Sequence, residues 1–257
     1  MKTSPLNGKI ALVTGGSRGL GRDSALRLAA HGADVILTYR NRLKEALMVV
    51  AEIEELNRRA AVLELDFMQI ERLDDMAAHV QDLLRERWGV RKFDFLINNA
   101  GFGGTTPIGG TAEDVFDSLY LVHFKGVYFL TEKLLPMIAD QGRIVNFSSG
   151  LTRFVVPGSA AYASMKGAIE VYTRYLAKEL GPRGITANVL APGAIDNDFN
   201  EETFEAHPQL REQIAAGTAL GRVGVSEDIG GIVAFLCSED ARWINAQRIE
   251  ASGGAYL

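Results

Sequence analysis

A doubly wound α/β fold, with a parallel sheet of about seven strands and helices on both faces, is what this chain predicts. Three observations carry it. Short apolar runs alternate with longer segments of helical periodicity from residue 9 to residue 250. No hairpin signal separates any two strand-like runs, so neighbours must be joined by helical crossovers, which leave strands parallel. A glycine-rich turn, Gly15-Gly16-Ser17-Arg18-Gly19-Leu20-Gly21, follows the first run and opens the first helix.

Residues 9–14 form a short buried strand, and 22–31 a helix with Ala25, Leu28 and Ala29 on one side and Gly32 placed to stop it. A second strand at 35–39, a charged amphipathic helix at 42–59 and a third strand at 61–66 follow. The next pair is a helix at 71–88 and a strand at 93–98. Thr111-Ala112-Glu113-Asp114 has the pattern of a capped helix start, leading into a long helix from 112 to about 139. Then come a strand at 142–148, a helix at 160–180 and a strand at 184–190. Residues 196–217 break the rhythm: acidic and carrying His207-Pro208, they predict a small helical excursion. A helix at 227–236 and a strand near 247–250 complete the pattern. With no repeat, linker or low-complexity tract, the reading is one domain over 1–257, with an excursion at about 194–217.

The composition, 47% hydrophobic and 23% charged, is that of a soluble globular protein. A net charge of -5 without a Lys/Arg cluster argues against a nucleic-acid partner. The single cysteine, Cys237, excludes an intramolecular disulfide and a cysteine-based metal site. No apolar run approaches a membrane span, and residues 1–8 lack the apolar core of a signal peptide, so no membrane association and a cytoplasmic location are expected. No His, Asp and Glu set has metal-ligand spacing, and His31 and His79 fall on helices as surface residues. The Ser-x-x-x-Gly patterns lack the strand–nucleophile–helix context of a serine hydrolase.

Two features point to chemistry. In open α/β sheets ligands bind beyond the carboxyl ends of the strands, where the glycine-rich turn lets backbone approach a pyrophosphate and the helix N-terminus stabilises its charge. Further along, Tyr162 and Lys166 are four apart and share a helix face. An ammonium beside a phenol favours the phenolate, which would make the tyrosine usable as an acid or base near neutrality. Alone, such a pair is usually a solvated helix face; it gains meaning from the glycine turn and the motifs between them.

Those motifs are the spacing Thr14-Gly15-x-x-x-Gly19-x-Gly21, then Asn98-Asn99-Ala100-Gly101, Ser149, Tyr162-x-x-x-Lys166 and Pro192-Gly193. Together, from about residue 9 to 254, they make the chain resemble the short-chain dehydrogenase/reductases, in particular their compact carbonyl-reductase-like branch with a Rossmann-like sheet. The resemblance implies that Tyr162 exchanges a proton with a carbonyl or alcohol oxygen, and that Lys166 lowers its pKa and holds the nicotinamide ribose. It implies that Ser149, thirteen residues before Tyr162, orients the reacting oxygen, whereas Ser148 reads as a polar turn. Gly15, Ser17, Arg18, Gly19, Leu20 and Gly21 would face the cofactor, with Asn99, Ala100 and Gly101 supporting that turn and the ribose. Asp66, beside the bulkier Phe67, would meet the adenine, and Pro192, Gly193 and Ile195 would flank the carboxamide.

Three positions depart from the family pattern. His123 stands where an asparagine usually completes a proton relay; imidazole can donate, accept and titrate near neutrality, so a substitute relay and a merely packed histidine both remain open. Asp196, Asn197 and Asp198 occupy the place of a usual threonine, and Ser252 stands where an aspartate commonly precedes two glycines. At the end of the second strand, Tyr39 and Arg40 replace the acidic residue that would select NAD. With Arg18 they put two guanidiniums near the adenosine ribose, which favours NADP(H) over NAD(H).

The resulting expectation is an NADP(H)-dependent oxidoreductase that reduces a small-molecule ketone or aldehyde, or oxidises the alcohol. An NAD-dependent alcohol dehydrogenase and a non-catalytic nucleotide sensor are its rivals. The carboxylates of 196–217 suggest neutral or cationic substrates, and Phe102, Phe154, Phe199 and Phe204 could wall the pocket. The resemblance also implies a homodimer or homotetramer, for which Leu119, Phe124, Tyr128, Ile169, Tyr172 and Leu176 could serve if they are not packed within the subunit.

Overall fold

All four residues of β1, Ile10–Val13, are buried, because this strand has neighbours on both edges and helices over both faces. The protein's structure, a computed structural model, describes residues 4–257; of the segment read as lacking a signal-peptide core, residues 1–3 lie outside it. The other strands are β2 (Asp34–Tyr39), β3 (Ala60–Glu64), β4 (Phe93–Asn98), β5 (Ile138–Phe147), β6 (Thr186–Pro192) and β7 (Arg248–Ala251). They form one sheet in the order β3-β2-β1-β4-β5-β6-β7, parallel throughout. The sheet therefore grows outward from β1 in one direction and resumes on its other side at β4.

The helices are α1 (Gly19–Ala30), α2 (Leu43–Glu55), α3 (Leu73–Leu83), α4 (Glu113–Tyr120), α5 (Gly126–Leu134), α6 (Ala160–Leu180), α7 (Glu201–Ala206), α8 (Gln209–Ala216) and α9 (Glu227–Cys237). Strand alternation divides the core in two. Ala11 and Val13 pack with Leu28 of α1 and Val233 of α9 on one face. Ile10 and Leu12 pack with Val80 of α3, Leu130 of α5 and Leu180 of α6 on the other. Where α1 meets α9, a Cβ on Gly230 would lie 2.2 Å from Asp23 Oδ2, and that carboxylate accepts the Gly230 N–H at 2.9 Å.

Several boundaries differ from the expected ones. The helix expected over 112–139 is two helices joined by a π-helical turn, Leu121–Lys125, and it ends in a 3₁₀ turn, Leu135–Met137, at Pro136. Proline has no N–H for the helical ladder, so the chain turns there and β5 begins at Ile138, before the expected 142. A register shift between Phe93 and Phe95 on β4 absorbs the extra residues. Thr111 does not cap α4: Ala112 holds the cap position, and the Thr111 hydroxyl donates to Thr106 instead. The helix expected over 42–59 closes at Glu55, with Asn57 in a left-handed conformation at φ 58°. The third strand, expected at 61–66, ends at Glu64, and the sixth, expected at 184–190, runs on to Pro192. The excursion folds as α7 and α8. Among the described residues no helix is long and apolar enough to cross a membrane.

The edge strand β7 ends in an ionic cluster. Glu250 accepts two hydrogen bonds from the Arg153 guanidinium, at 2.6 and 2.7 Å, and one each from Arg248 and Ser252. These partners, Arg153 foremost, hold its carboxyl at about 2, against an ordinary 4.5. A carboxylate with a lowered folded pKa stabilises the fold fully above its unfolded pKa and stops doing so as pH falls toward the folded one, a difference of roughly 3 kcal/mol at most. Glu250→Gln is expected to flatten the fall of Tm between pH 4.5 and about 2; an unchanged acid slope in thermal unfolding would place its origin elsewhere.

Candidate active site

The glycine turn is built by exclusion of side chains. A Cβ on Gly21 would lie 2.2 Å from the Gly15 carbonyl oxygen, and one on Gly15, whose φ is 66°, would lie 2.9 Å from Ala100 Cα. Only glycine at both places lets the first turn of α1 close onto the end of β1. The turn is held from two sides. The Gly15 N–H donates to Thr38 Oγ1 at 3.1 Å, while Asn99 Nδ2 donates to the carbonyls of Thr14 and Gly15 at 2.9 and 3.2 Å. Thr14 Oγ1 accepts the N–H groups of Asn99 and Ala100, both at 3.0 Å. With these bonds made, the backbone N–H groups of residues 17–21 donate to no group among the described residues. They open a helix with no acidic residue in its first turn, the arrangement that receives a diphosphate. A cavity of about 460 Å³ lies over this turn, bounded on its far side by Asp196, Asn197 and Asp198. The free donors and the absence of Cβ atoms fit the diphosphate of a nicotinamide dinucleotide.

Tyr162, Lys166 and Ser149 converge on one another, and the Tyr162 ring lies 6.4 Å from that of Phe199, the residue after Asp198. Lys166 and Tyr162 lie one turn apart on α6, the ammonium 5.6 Å from the ring centre. Lys166 Nζ donates to the Phe147 carbonyl at 2.9 Å, tying α6 to the end of β5, from which Ser149 follows in two residues. Burial lowers the Lys166 ammonium to about 8. It raises the Tyr162 phenol above its ordinary value, and the Ser149 hydroxyl, placed to hydrogen-bond the phenol, draws it only part of the way back. The lowered phenol expected from Lys166 is thus not found. The ammonium spends its short contact on a backbone carbonyl, and desolvation of the phenol is the larger effect.

His123 sits inside the π-helical turn, 1% exposed, with its ring edge-on to Tyr162 at 5.0 Å. Its Nε2 lies 2.8 Å from the Phe102 carbonyl and 3.4 Å from the Phe102 N–H, and the shorter contact favours the proton on Nε2. Nδ1 is then a buried acceptor with no partner among the described residues. Burial, helped by the charge of Lys166, holds the imidazole well below its ordinary pKa. Of the two readings left open for His123, a relay by titration near neutrality is disfavoured, because burial favours the neutral imidazole; its Nδ1 lone pair faces Gly101.

The other expected site residues divide. Ser17, Arg18 and Gly19 line the cavity over the turn. Arg18 pairs with Asp198 at 3.4 Å, both about 44% exposed, and Arg40 is exposed beside half-buried Tyr39 at the end of β2. Gly193 donates its N–H to Ala251 and packs on Ser252, after Pro192 at the end of β6. Asp66 is half-buried and accepts the Met68 N–H. The side chains of Phe67, Ile195 and partly buried Leu20 face the core: Phe67 lies against Gly126, and Ile195 against Gly224. Any contact of Phe67 or Ile195 with a ligand is restricted to backbone. Ser148, read as a bland turn, is buried and donates to Glu170 at 2.7 Å. Among the possible walls, Phe102 and Phe199 approach the site, but Phe204 is buried beneath Arg211 and Phe154 stacks on Tyr256. Asp196 is neutralised by a two-pronged contact with Arg211, and with Asp198 also paired, the expected repulsion of anions is weakened. Thr38 was not singled out beforehand, and Asn197, noted only as standing near the place of a usual threonine, lies against Gly19, a contact that no local pattern signals.

Comparison with known proteins gives consistent results. A family model described as enoyl-(acyl carrier protein) reductase matches residues 15–256. Hydroxynaphthalene reductase arp2 of Aspergillus fumigatus is 33% identical over 253 residues, 95% of this chain and 90% of the relative. Short chain dehydrogenase/reductase nsrJ of Aspergillus novofumigatus is 33% identical over 266 residues, 97% of this chain and 96% of its own. The crystal structure of angucycline C-6 ketoreductase LanV with bound NADP superposes with a TM-score of 0.94 at 37% identity, over 99% of this chain and 98% of that one.

Because His123 stays neutral at and above its ordinary pKa of 6.5, it contributes no ionisation between pH 6.5 and 8. The kcat/KM profiles of the protein and of His123→Asn are expected to run parallel over that interval. A limb that is present in the parent protein and absent from the variant would show that His123 does titrate there.

Proposed function

The chain belongs to the short-chain dehydrogenase/reductase family, and from that premise we propose that it reduces a bulky, apolar ketone with NADPH. The observation that carries this reading is the convergence of Ser149, Tyr162 and Lys166 on the same carboxyl edge of the parallel sheet as a glycine turn whose N–H groups at residues 17–21 have no partner among the described residues. Bound NADPH supplies the hydride. The residues of this chain do the rest. Tyr162, its phenol raised by burial, is protonated at neutral pH, as a donor to a carbonyl oxygen must be. As that proton leaves, the phenolate formed is stabilised by the Lys166 ammonium, and Ser149 Oγ holds the oxygen in place. Bare His123 Nδ1 is an acceptor able to order a water behind Tyr162, the part played by the usual asparagine.

NADPH rather than NADH is favoured by Arg18 and Arg40, and by NADP in the related ketoreductase LanV. Arg18 is available at small cost, since an ion pair as exposed as that with Asp198 is worth about 0–1 kcal/mol. The substrate class rests on the rings of Phe102, Phe199 and His123 around Tyr162, and on exposed Ile108, Val155 and Val156. Relatives named for hydroxynaphthalene and angucycline reduction support a fused aromatic ring system. We take 1–257 as one working domain in the cytoplasm, with 194–217 as its substrate loop. It is a homo-oligomer through the faces of α4, α5 and α6, where Leu119, Ile169 and Leu176 are buried within the subunit but Phe116, Phe129, Val171 and Tyr175 are exposed.

Titration with NADPH and NADH by nicotinamide fluorescence, followed by a panel of fused-ring ketones, aldehydes and a conjugated enone, tests the reading. NADPH is expected to bind at least about tenfold tighter, with most of the difference lost in Arg18→Ala/Arg40→Ala. Tyr162→Phe is expected to cut ketone turnover by about 10²-fold or more while NADPH binding holds. Tighter NADH binding would overturn the roles of Arg18 and Arg40, reduction of the enone alone would replace carbonyl by enoyl chemistry, and binding without any turnover would leave a sensor. Sedimentation velocity should give a dimer or tetramer, and a monomer at micromolar concentration would remove the proposed interface.

A further inference from the structure

Behind the candidate active site an alternating chain of charges runs from α6 to the C-terminal segment. Glu170, one helical turn beyond Lys166, accepts three hydrogen bonds on a single oxygen: from Ser148 Oγ at 2.7 Å, Thr152 Oγ1 at 2.7 Å and Arg248 Nε at 2.8 Å. Arg248 then reaches in two directions. Its Nη1 donates to Glu250, itself clamped by Arg153, and its Nη2 donates to the Ser149 carbonyl at 3.1 Å. Thr152 Oγ1 lies 2.9 Å from the same Ser149 carbonyl and 3.1 Å from Arg248 Nη2. The side chains of Glu170 and Arg248 are 15% and 24% exposed, so the pair sits in a medium where it is screened far less than a surface contact.

The consequence falls on Ser149. Its φ of -154° is extended, it opens the short turn Gly150–Thr152, and its hydroxyl accepts the Leu151 N–H at 3.2 Å. A serine on a short turn is aimed only as well as its backbone is held. Here Arg248 holds the carbonyl of Ser149 itself, while Glu170 holds Ser148 before it and Thr152 after it. We propose that Arg248 and Glu170 are positioning residues that fix the Ser149 backbone and so aim its hydroxyl at the reacting oxygen. Both act through the Ser148–Thr152 backbone and hydroxyls rather than on the reacting oxygen. The proposal rests on the reading of Ser149 as the group that holds that oxygen. The same chain continues through Arg153, which donates to the Ala255 and Tyr256 carbonyls, and Ala255 in turn bridges to Thr218 at the end of the substrate loop.

The test is a double-mutant cycle, with single-turnover rates measured on 1-tetralone, a fused-ring ketone, alongside NADPH binding and Tm. Arg248→Met is expected to lower kcat about tenfold, the scale of a small misplacement of a catalytic group, while NADPH Kd stays within about twofold. In a Ser149→Ala background the same substitution should cost less than about twofold, since the group it aims is already gone. An equal loss in both backgrounds would show that Arg248 acts on the fold at large and would overturn the proposal alone. Full kcat in Ser149→Ala would overturn the parent reading and the proposal with it. Glu170 provides a second route if Arg248→Met folds poorly. The amide oxygen of Glu170→Gln can still accept the three donors, so this variant should keep kcat within about threefold, whereas Glu170→Ala should lose about tenfold. Equal losses in the two would overturn the positioning role.

Discussion

The clasp of Asn99 on Thr14 and Gly15 is the contact on which the rest of the site depends. The sheet order reverses between β1 and β4, and in such folds the two chain ends diverge there and leave a crevice. Divergence alone would leave the first glycine turn free to move. Asn99, the residue after β4, prevents this by donating to two carbonyls of the turn, while Thr14 returns the bond by accepting two N–H groups from the β4 end. The carbonyls of residues 14 and 15 are thereby engaged by Asn99, and the N–H groups of residues 17–21 have no partner among the described residues. A site for a diphosphate is in this sense a by-product of closing the strand ends against each other.

The same clasp fixes what lies behind it. Asn99 leads through Ala100 and Gly101 to Phe102, whose carbonyl accepts a hydrogen bond from His123 Nε2–H. Gly101 must lack a side chain, since its Cβ would lie 2.7 Å from the imidazole. His123 in turn presents its ring to Tyr162. A helix of uniform pitch would carry residue 123 round at about 100° per residue from its neighbours; the π-helical turn Leu121–Lys125 inserts a local offset at this point. The continuous path from the glycine turn to Tyr162 is thus made of one asparagine, one glycine and one irregular helical turn.

What was readable beforehand is what local spacing encodes. The glycine turn is legible because strand, turn and helix are contiguous, and Tyr162 with Lys166 because four residues make one helical turn. The parallel, doubly wound class follows from strand–helix alternation without hairpin signals, whereas the strand order is seen only in the structure. The π-helical turn was hidden, since Leu121 to Lys125 is composed like any other helical stretch. So were the directions of Phe67 and Ile195, which depend on whether strand ends turn toward the core or the crevice. Ser148 and Glu170 are 22 residues apart and Glu170 and Arg248 are 78, so no periodicity joins them. Their contacts exist only once β5, α6 and β7 have been laid side by side.

The largest departure concerns electrostatics. From residue types, Lys166 and Tyr162 suggest a site tuned by attraction between neighbouring charges, yet burial decides every shift in it. It favours the neutral form of Tyr162, of His123 and, down to about 8, of Lys166. Such a site holds few charges at rest, and the penalty of desolvating an ammonium is already met by the fold before any reaction begins. An anion formed nearby then finds a cation that water does not screen, at the moment when stabilisation accelerates the step rather than merely strengthening binding. Seen this way, the contact of Lys166 with the Phe147 carbonyl is no distraction from Tyr162. It keeps a costly charge in place for the one step in which the proposed mechanism forms a phenolate.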